Sequence, residues 1–128
     1  MDTVGGWLSE IRFFYRRQSL RPLSANGQVL WHYLMYRANE AFWQWPVRLS
    51  LMELAGGTRL PPTAVKRARR ELVEAGYVLH EEGRGRQPAG YVMLSCVQPG
   101  RPMQAFPHLA RRLAEDGQAL TGTRAGAG

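Results

Sequence analysis

Apolar residues recur along this chain with two different periods, and the change from one to the other divides it into elements. In "GWLSEIRFFYRRQS", Trp7, Leu8, Ile11, Phe14 and Tyr15 fall three and four residues apart, which predicts a helix with one apolar face. Phe13 lies off that stripe. "RPLSANG" interrupts the pattern and offers Ser24 as the N-cap of the next helix. That helix, "SANGQVLWHYLMYRANEAFW", has the widest stripe: Leu30, Trp31, Leu34, Met35, Ala38, Ala41 and Phe42, with His32, Asn39 and Glu40 outside it. Pro46 ends it, and "VRLS" reads as a short extended piece. Ser50 then caps a brief helix, "LMELAG", expected to stop at Gly56-Gly57.

Pro61 and Pro62 suit the first turn of a further helix, where backbone N–H groups have no intrahelical partner in any case. This helix is predicted from about Pro62 to Ala75, with Gly76 as its stop. The period then shortens to two. "YVLHEE" and "GYVMLSCV" read as strands joined by the hairpin tip "GRGRQPA". A short helix, a tight turn, a second helix and two antiparallel strands predict a mainly α fold with a small β-hairpin, a winged helix-turn-helix over residues 5–97. Residues 98–128 read as a tail. "PHLARRLAEDG" is compatible with a short helix turning Leu109 and Leu113 inward, and "GQALTGTRAGAG" has too few bulky apolar residues to order itself.

Charge changes the picture more than length does. The 128 residues fit one domain, with 45% hydrophobic residues to fill a core. Seventeen basic residues against ten acidic ones give +7, which favours a polyanionic partner such as nucleic acid. On a helical wheel of the Pro62–Ala75 segment, Val65, Ala68, Leu72 and Ala75 point one way. Thr63, Lys66, Arg67 and Arg70 point the other way, joined by Glu74. Arginine on such a face can pair with guanine edges or with phosphate, and a helix of this kind can lie in a major groove. Ion pairing offers a plainer use of the same charges, because Arg67 and Glu71, and Arg70 and Glu74, stand four apart. Arg84 and Arg86 tilt the balance towards nucleic acid, since no core needs two arginines at a hairpin tip. Arg59, in the turn before the basic helix, joins the expected DNA-binding set of Arg59, Thr63, Lys66, Arg67, Arg70, Arg84 and Arg86.

"LSANGQVLWHYLMYRANEAFW", "LSLMELAGGTRLPPTAVKRARRELVEAGYV" and "EEGRGRQPAGYVML" together resemble the N-terminal winged-helix domain of DnaD-like primosome proteins and phage replisome organisers, over roughly residues 5 to 96. The resemblance implies a role in replication initiation: binding double-stranded DNA, self-association, and contact with a replication protein such as a helicase or its loader. Pro61-Pro62 stands where a polar N-cap is usual in that family, and its second helical domain is not among these residues.

Other chemistry is not expected. Cys96, the single cysteine, sits in "VMLSCV" and reads as a small buried residue. His32, His80 and His108 are scattered without a zinc-binding spacing, and no serine has a nucleophile-elbow context. "EEGRGRQPAG" precedes a strand, not a helix, and so is not a phosphate-cradling loop. No enzyme, metal or cofactor is expected. "MDTVGGW" lacks the charged and apolar regions of a signal peptide, and no apolar run could span a bilayer, so a cytoplasmic location without membrane contact is expected. Two further readings stay open: a transcriptional regulator, and a module that self-associates through Trp7, Phe13 and Phe14, with Trp43 and Trp45 adding rings where a turn should be polar.

Overall fold

A computed structural model describes residues 6–104. The described residues form α1 Trp7–Leu20, α2 Ala25–Glu40, β1 Val47–Arg48, α3 Leu51–Thr58, α4 Pro62–Glu74, β2 Val78–Glu81 and β3 Gly90–Met93. The chain is thus mainly helical with a small antiparallel sheet, and none of these helices is long and apolar enough to cross a membrane. The sheet has three strands in the order β1-β3-β2, one more than the expected hairpin. Val47 pairs with Tyr91 and Arg48 with Gly90, so the "VRLS" piece is an edge strand. The Arg48 guanidinium fixes the join, donating to the Pro88 carbonyl at 3.0 Å and to Glu81 Oε1 at 3.1 Å.

Side-chain caps start two of the helices as expected. The Ser24 hydroxyl accepts from the Gly27 N–H at 3.0 Å, and Ser50 and Glu53 form a reciprocal capping box at the head of α3. Two helix ends differ from expectation. α2 stops at Glu40 because Phe42 and Trp43 take left-handed backbone conformations. α3 runs through Gly56 and Gly57 to Thr58, and Arg59 takes the left-handed C-cap position with φ +63°. The reason is tertiary: a Cβ on Gly57 would overlap the Tyr33 ring, so this glycine lets α3 approach α2 closely. α4 ends as its glycine predicts. The Tyr77 and Gly76 N–H groups donate to the Leu72 and Val73 carbonyls, and Gly76 has φ +81°.

The core centres on Trp31, whose ring stacks on Phe14 with centroids 3.8 Å apart. Phe14 is wholly enclosed and has no surface to offer a second copy, which removes it from the expected self-association set. Trp43 and Trp45 are also corrected: both are half-buried against the core, their rings 6.0 Å apart, and the Trp45 indole N–H donates to the Met103 carbonyl at 3.0 Å. Met103 is itself enclosed, and its N–H donates to the Met93 carbonyl at 2.7 Å. The folded body therefore continues past the expected limit at residue 97, through the Leu94–Pro102 bridge. Leu109, Leu113 and the rest of the expected tail beyond residue 104 lie outside the described residues.

Two carboxylates tie helices to distant parts of the chain. Glu10 of α1 is buried and accepts from the Ser95 hydroxyl at 2.6 Å and the Cys96 N–H at 2.7 Å. Burial pushes the neighbouring Cys96 thiol up to about 11, so it stays protonated at neutral pH. Glu71 of α4 reaches the start of α2, accepting from the Ser24 N–H at 2.8 Å and the Ser24 hydroxyl at 2.6 Å. Hydrogen bonds to an ionised acceptor are among the stronger ones. Glu71→Ala is expected to lower stability by about 1–2 kcal/mol, seen as a lower urea midpoint with an unchanged slope. An unaltered midpoint would show that this clamp contributes nothing.

Candidate nucleic-acid interface

α4 is amphipathic in the way its sequence requires. Val65, Ala68 and Leu72 are buried, while Thr63, Lys66, Arg67, Arg70 and Glu74 are exposed. The Arg67–Glu71 ion pair that the spacing allows does not form, because the Glu71 carboxylate is turned to Ser24. Among the described residues no carboxylate pairs with Lys66, Arg67 or Arg70. Lys66, Arg67 and Arg70 thus stand unpaired on a face that carries one exposed carboxylate, Glu74. Arg59 is also exposed, held at the turn between α3 and α4 by its left-handed backbone.

The hairpin brings a second basic group out from the sheet. The β2–β3 register, Glu81 opposite Gly90, continues to a bridge between Arg84 and Gln87, which exchange both backbone hydrogen bonds at 3.0 and 2.8 Å. Only Gly85 and Arg86 are left to turn the chain. Gly85 has φ +57°, as the first central position of a two-residue hairpin turn prefers. Gly83 has a different role: a Cβ there would collide with the Gln87 carbonyl. Arg84 and Arg86 both stand exposed at this tip.

Between the outer face of α4 and edge strand β2 lies an open cleft of about 400 Å³, lined by Lys66, Arg69, Arg70, Val73, Glu74, His80 and Glu82. Sequence reasoning missed Arg69 and His80. Arg69 falls between the two faces of the wheel, and its hydrogen bond to the Tyr91 hydroxyl at 3.0 Å crosses to a strand 22 residues away. His80 stacks on the same Tyr91 ring. Burial, and then the charge of Arg69, hold the His80 imidazole below its ordinary value, against an opposing pull from Glu82. His32, by contrast, sits between α1 and α2 and shares a 3.0 Å hydrogen bond with the Tyr15 hydroxyl. Among the described residues no cluster of His, Cys, Asp and Glu could hold a metal ion.

Of the residues expected to mediate self-association, Phe13 is half-buried beneath the Arg16 guanidinium, 4.9 Å from its ring, and Trp7 is more than one-third exposed at the start of α1.

The chain matches no protein-family model, no curated protein and no solved structure at a significant level.

Proposed function

We propose that this protein is a winged helix-turn-helix that binds double-stranded DNA, with α4 as the recognition helix and the β2–β3 hairpin as the wing, acting in replication initiation. The element order supports the fold: a strand precedes the short helix α3, and it pairs with the last strand of the hairpin. The observation that carries the binding role is the row Thr63, Lys66, Arg67 and Arg70, its cations unpaired, backed by Arg59, Arg84 and Arg86 on neighbouring turns. The replication setting rests on the resemblance to primosome and replisome-organiser domains. A transcriptional regulator is the alternative for the same DNA-binding face.

If the protein neutralises ~4–6 phosphates, log affinity against log salt has a slope of about −4 to −5. Replacing Lys66, Arg67 and Arg70 together with Ala is expected to bring that slope to about −2, while changing stability little, since all three are exposed. Wild-type affinity that is flat with salt, or a triple variant that binds normally, rejects the reading.

The hairpin tip acts through charge and not through base recognition. Arg84→Ala with Arg86→Ala is expected to weaken all duplexes about equally and to make the salt slope shallower by up to roughly 2. Loss of preference for one sequence with intact non-specific affinity would assign the tip a reading role instead.

A second reading, assembly of two copies through α1, draws on Leu8, 62% exposed beside Trp7. Two copies would present two basic helices to one duplex. A dimer is then expected by light scattering at ~100 µM, weakened by Leu8→Ser; a monomer at that concentration excludes even micromolar association.

A further inference from the structure

The cleft beside α4 has features that a plain cationic face does not need. Its α4 wall carries Lys66, Arg69 and Arg70, and its β2 wall carries His80. Arg69 and His80 share one buried anchor: the Tyr91 hydroxyl accepts from the Arg69 guanidinium, and the Tyr91 ring lies against the imidazole at 5.2 Å and 29°. His80 Nε2 is enclosed and has no hydrogen-bond partner. A neutral ring tolerates this when Nε2 holds the lone pair, whereas protonation there would need an acceptor, which an anion entering beside the ring could supply. The groups facing His80 are Arg69 from α4, Tyr91 from β3 and Glu82 just beyond β2, while Lys66, Arg70 and Glu74 complete the lining.

We propose that this cleft seats one phosphate group and that His80 gains a proton when the seat is filled. The ligand chemistry is that of a phosphate anion, supplied either by the phosphodiester of a duplex backbone or by free phosphate. The first source rests on the DNA-binding reading above. Three cations converge on the space, and the two carboxylates that line it, Glu74 and Glu82, form no ion pair with them. With the seat empty, burial and Arg69 keep the imidazole neutral near pH 7. An anion between Arg69 and His80 offsets the repulsion and favours the imidazolium. The complex then holds one proton more than its free partners, taken from solvent. Because the bound imidazole titrates higher than the free one, affinity rises as pH falls through the bound value and levels off below the free value.

The test is an NMR titration of the His80 ring protons in the full chain at low salt, assigned with H80Q. It is run alone, with a short DNA duplex and with inorganic phosphate. The duplex is expected to raise the His80 pKa, and a shift of one unit corresponds to about a tenfold gain in duplex affinity from a pH well above the bound value to one well below the free value. That gain is expected to vanish in H80Q and to persist in H32Q, because His32 lies between α1 and α2 and not in the cleft. If duplex binds and His80 does not respond to either anion, the seat is overturned while the DNA-binding reading stands. Failure to bind duplex at any pH overturns the DNA-binding reading, and overturns the seat as well if His80 is also silent to inorganic phosphate. A shift with inorganic phosphate and none with bound duplex overturns the backbone source and assigns the seat to free phosphate.

Discussion

The contact on which most of the arrangement depends is the grip of Glu71 on the start of α2. The first turn of any helix leaves N–H groups without partners. Here Ser24 answers the Gly27 N–H, and Glu71, from a helix 47 residues further on, answers Ser24. The bond sets how α4 lies on α2. Gly27 is part of the same constraint, since a Cβ there would run into the Glu71 carboxylate. Because the carboxylate is committed inward, Arg67 keeps its full charge on the outward side. One residue therefore both seats the helix and leaves its opposite face cationic.

The same division runs through the arginines generally. Arg17 bonds the Ala75 carbonyl and lies 4.0 Å from the Tyr77 ring centroid, holding α1 to the end of α4. Arg37 bonds the Tyr33 hydroxyl and pairs with Glu53, and Arg48 braces the base of the hairpin. These are structural cations, each with a carbonyl, hydroxyl or carboxylate to hold. Among the described residues Arg59, Arg67, Arg70, Arg84 and Arg86 have no such partner and lie on α4, the turn before it and the hairpin tip, while Arg12, Arg21 and Arg101 are likewise exposed but stand elsewhere. A formal charge of +7 does not reveal this distinction; the geometry of individual donors does.

Local signals in the sequence carried the helices, both serine caps, the two faces of α4 and the position of the hairpin tip, because each depends on residues a few places apart. What escaped them depended on distant partners. Gly56-Gly57 has the composition of a helix stop, and only the Tyr33 ring explains why the helix continues past it. Phe14, Trp43 and Trp45 look like surplus aromatic surface until Trp31 and Met103 are seen to receive them. Arg69 and His80 carry no pattern of their own and become a pair only through Tyr91, on a strand that neither adjoins in sequence. The short extended piece at "VRLS" was legible, but its pairing with β3 was not, because two residues are too few to carry a register.

Lys66 is the one lysine in a chain otherwise rich in arginine, and it stands exposed on the outward side of α4 and at the lip of the cleft. Guanidinium groups do not react as amines do at neutral pH, so the molecule offers amine-selective reagents a single side-chain target. A label placed there sits beside the cleft lined by Arg69, Arg70 and His80. Acylation would erase a positive charge at that spot and leave every arginine untouched. The skewed composition thus makes the centre of the candidate interface chemically addressable without any substitution.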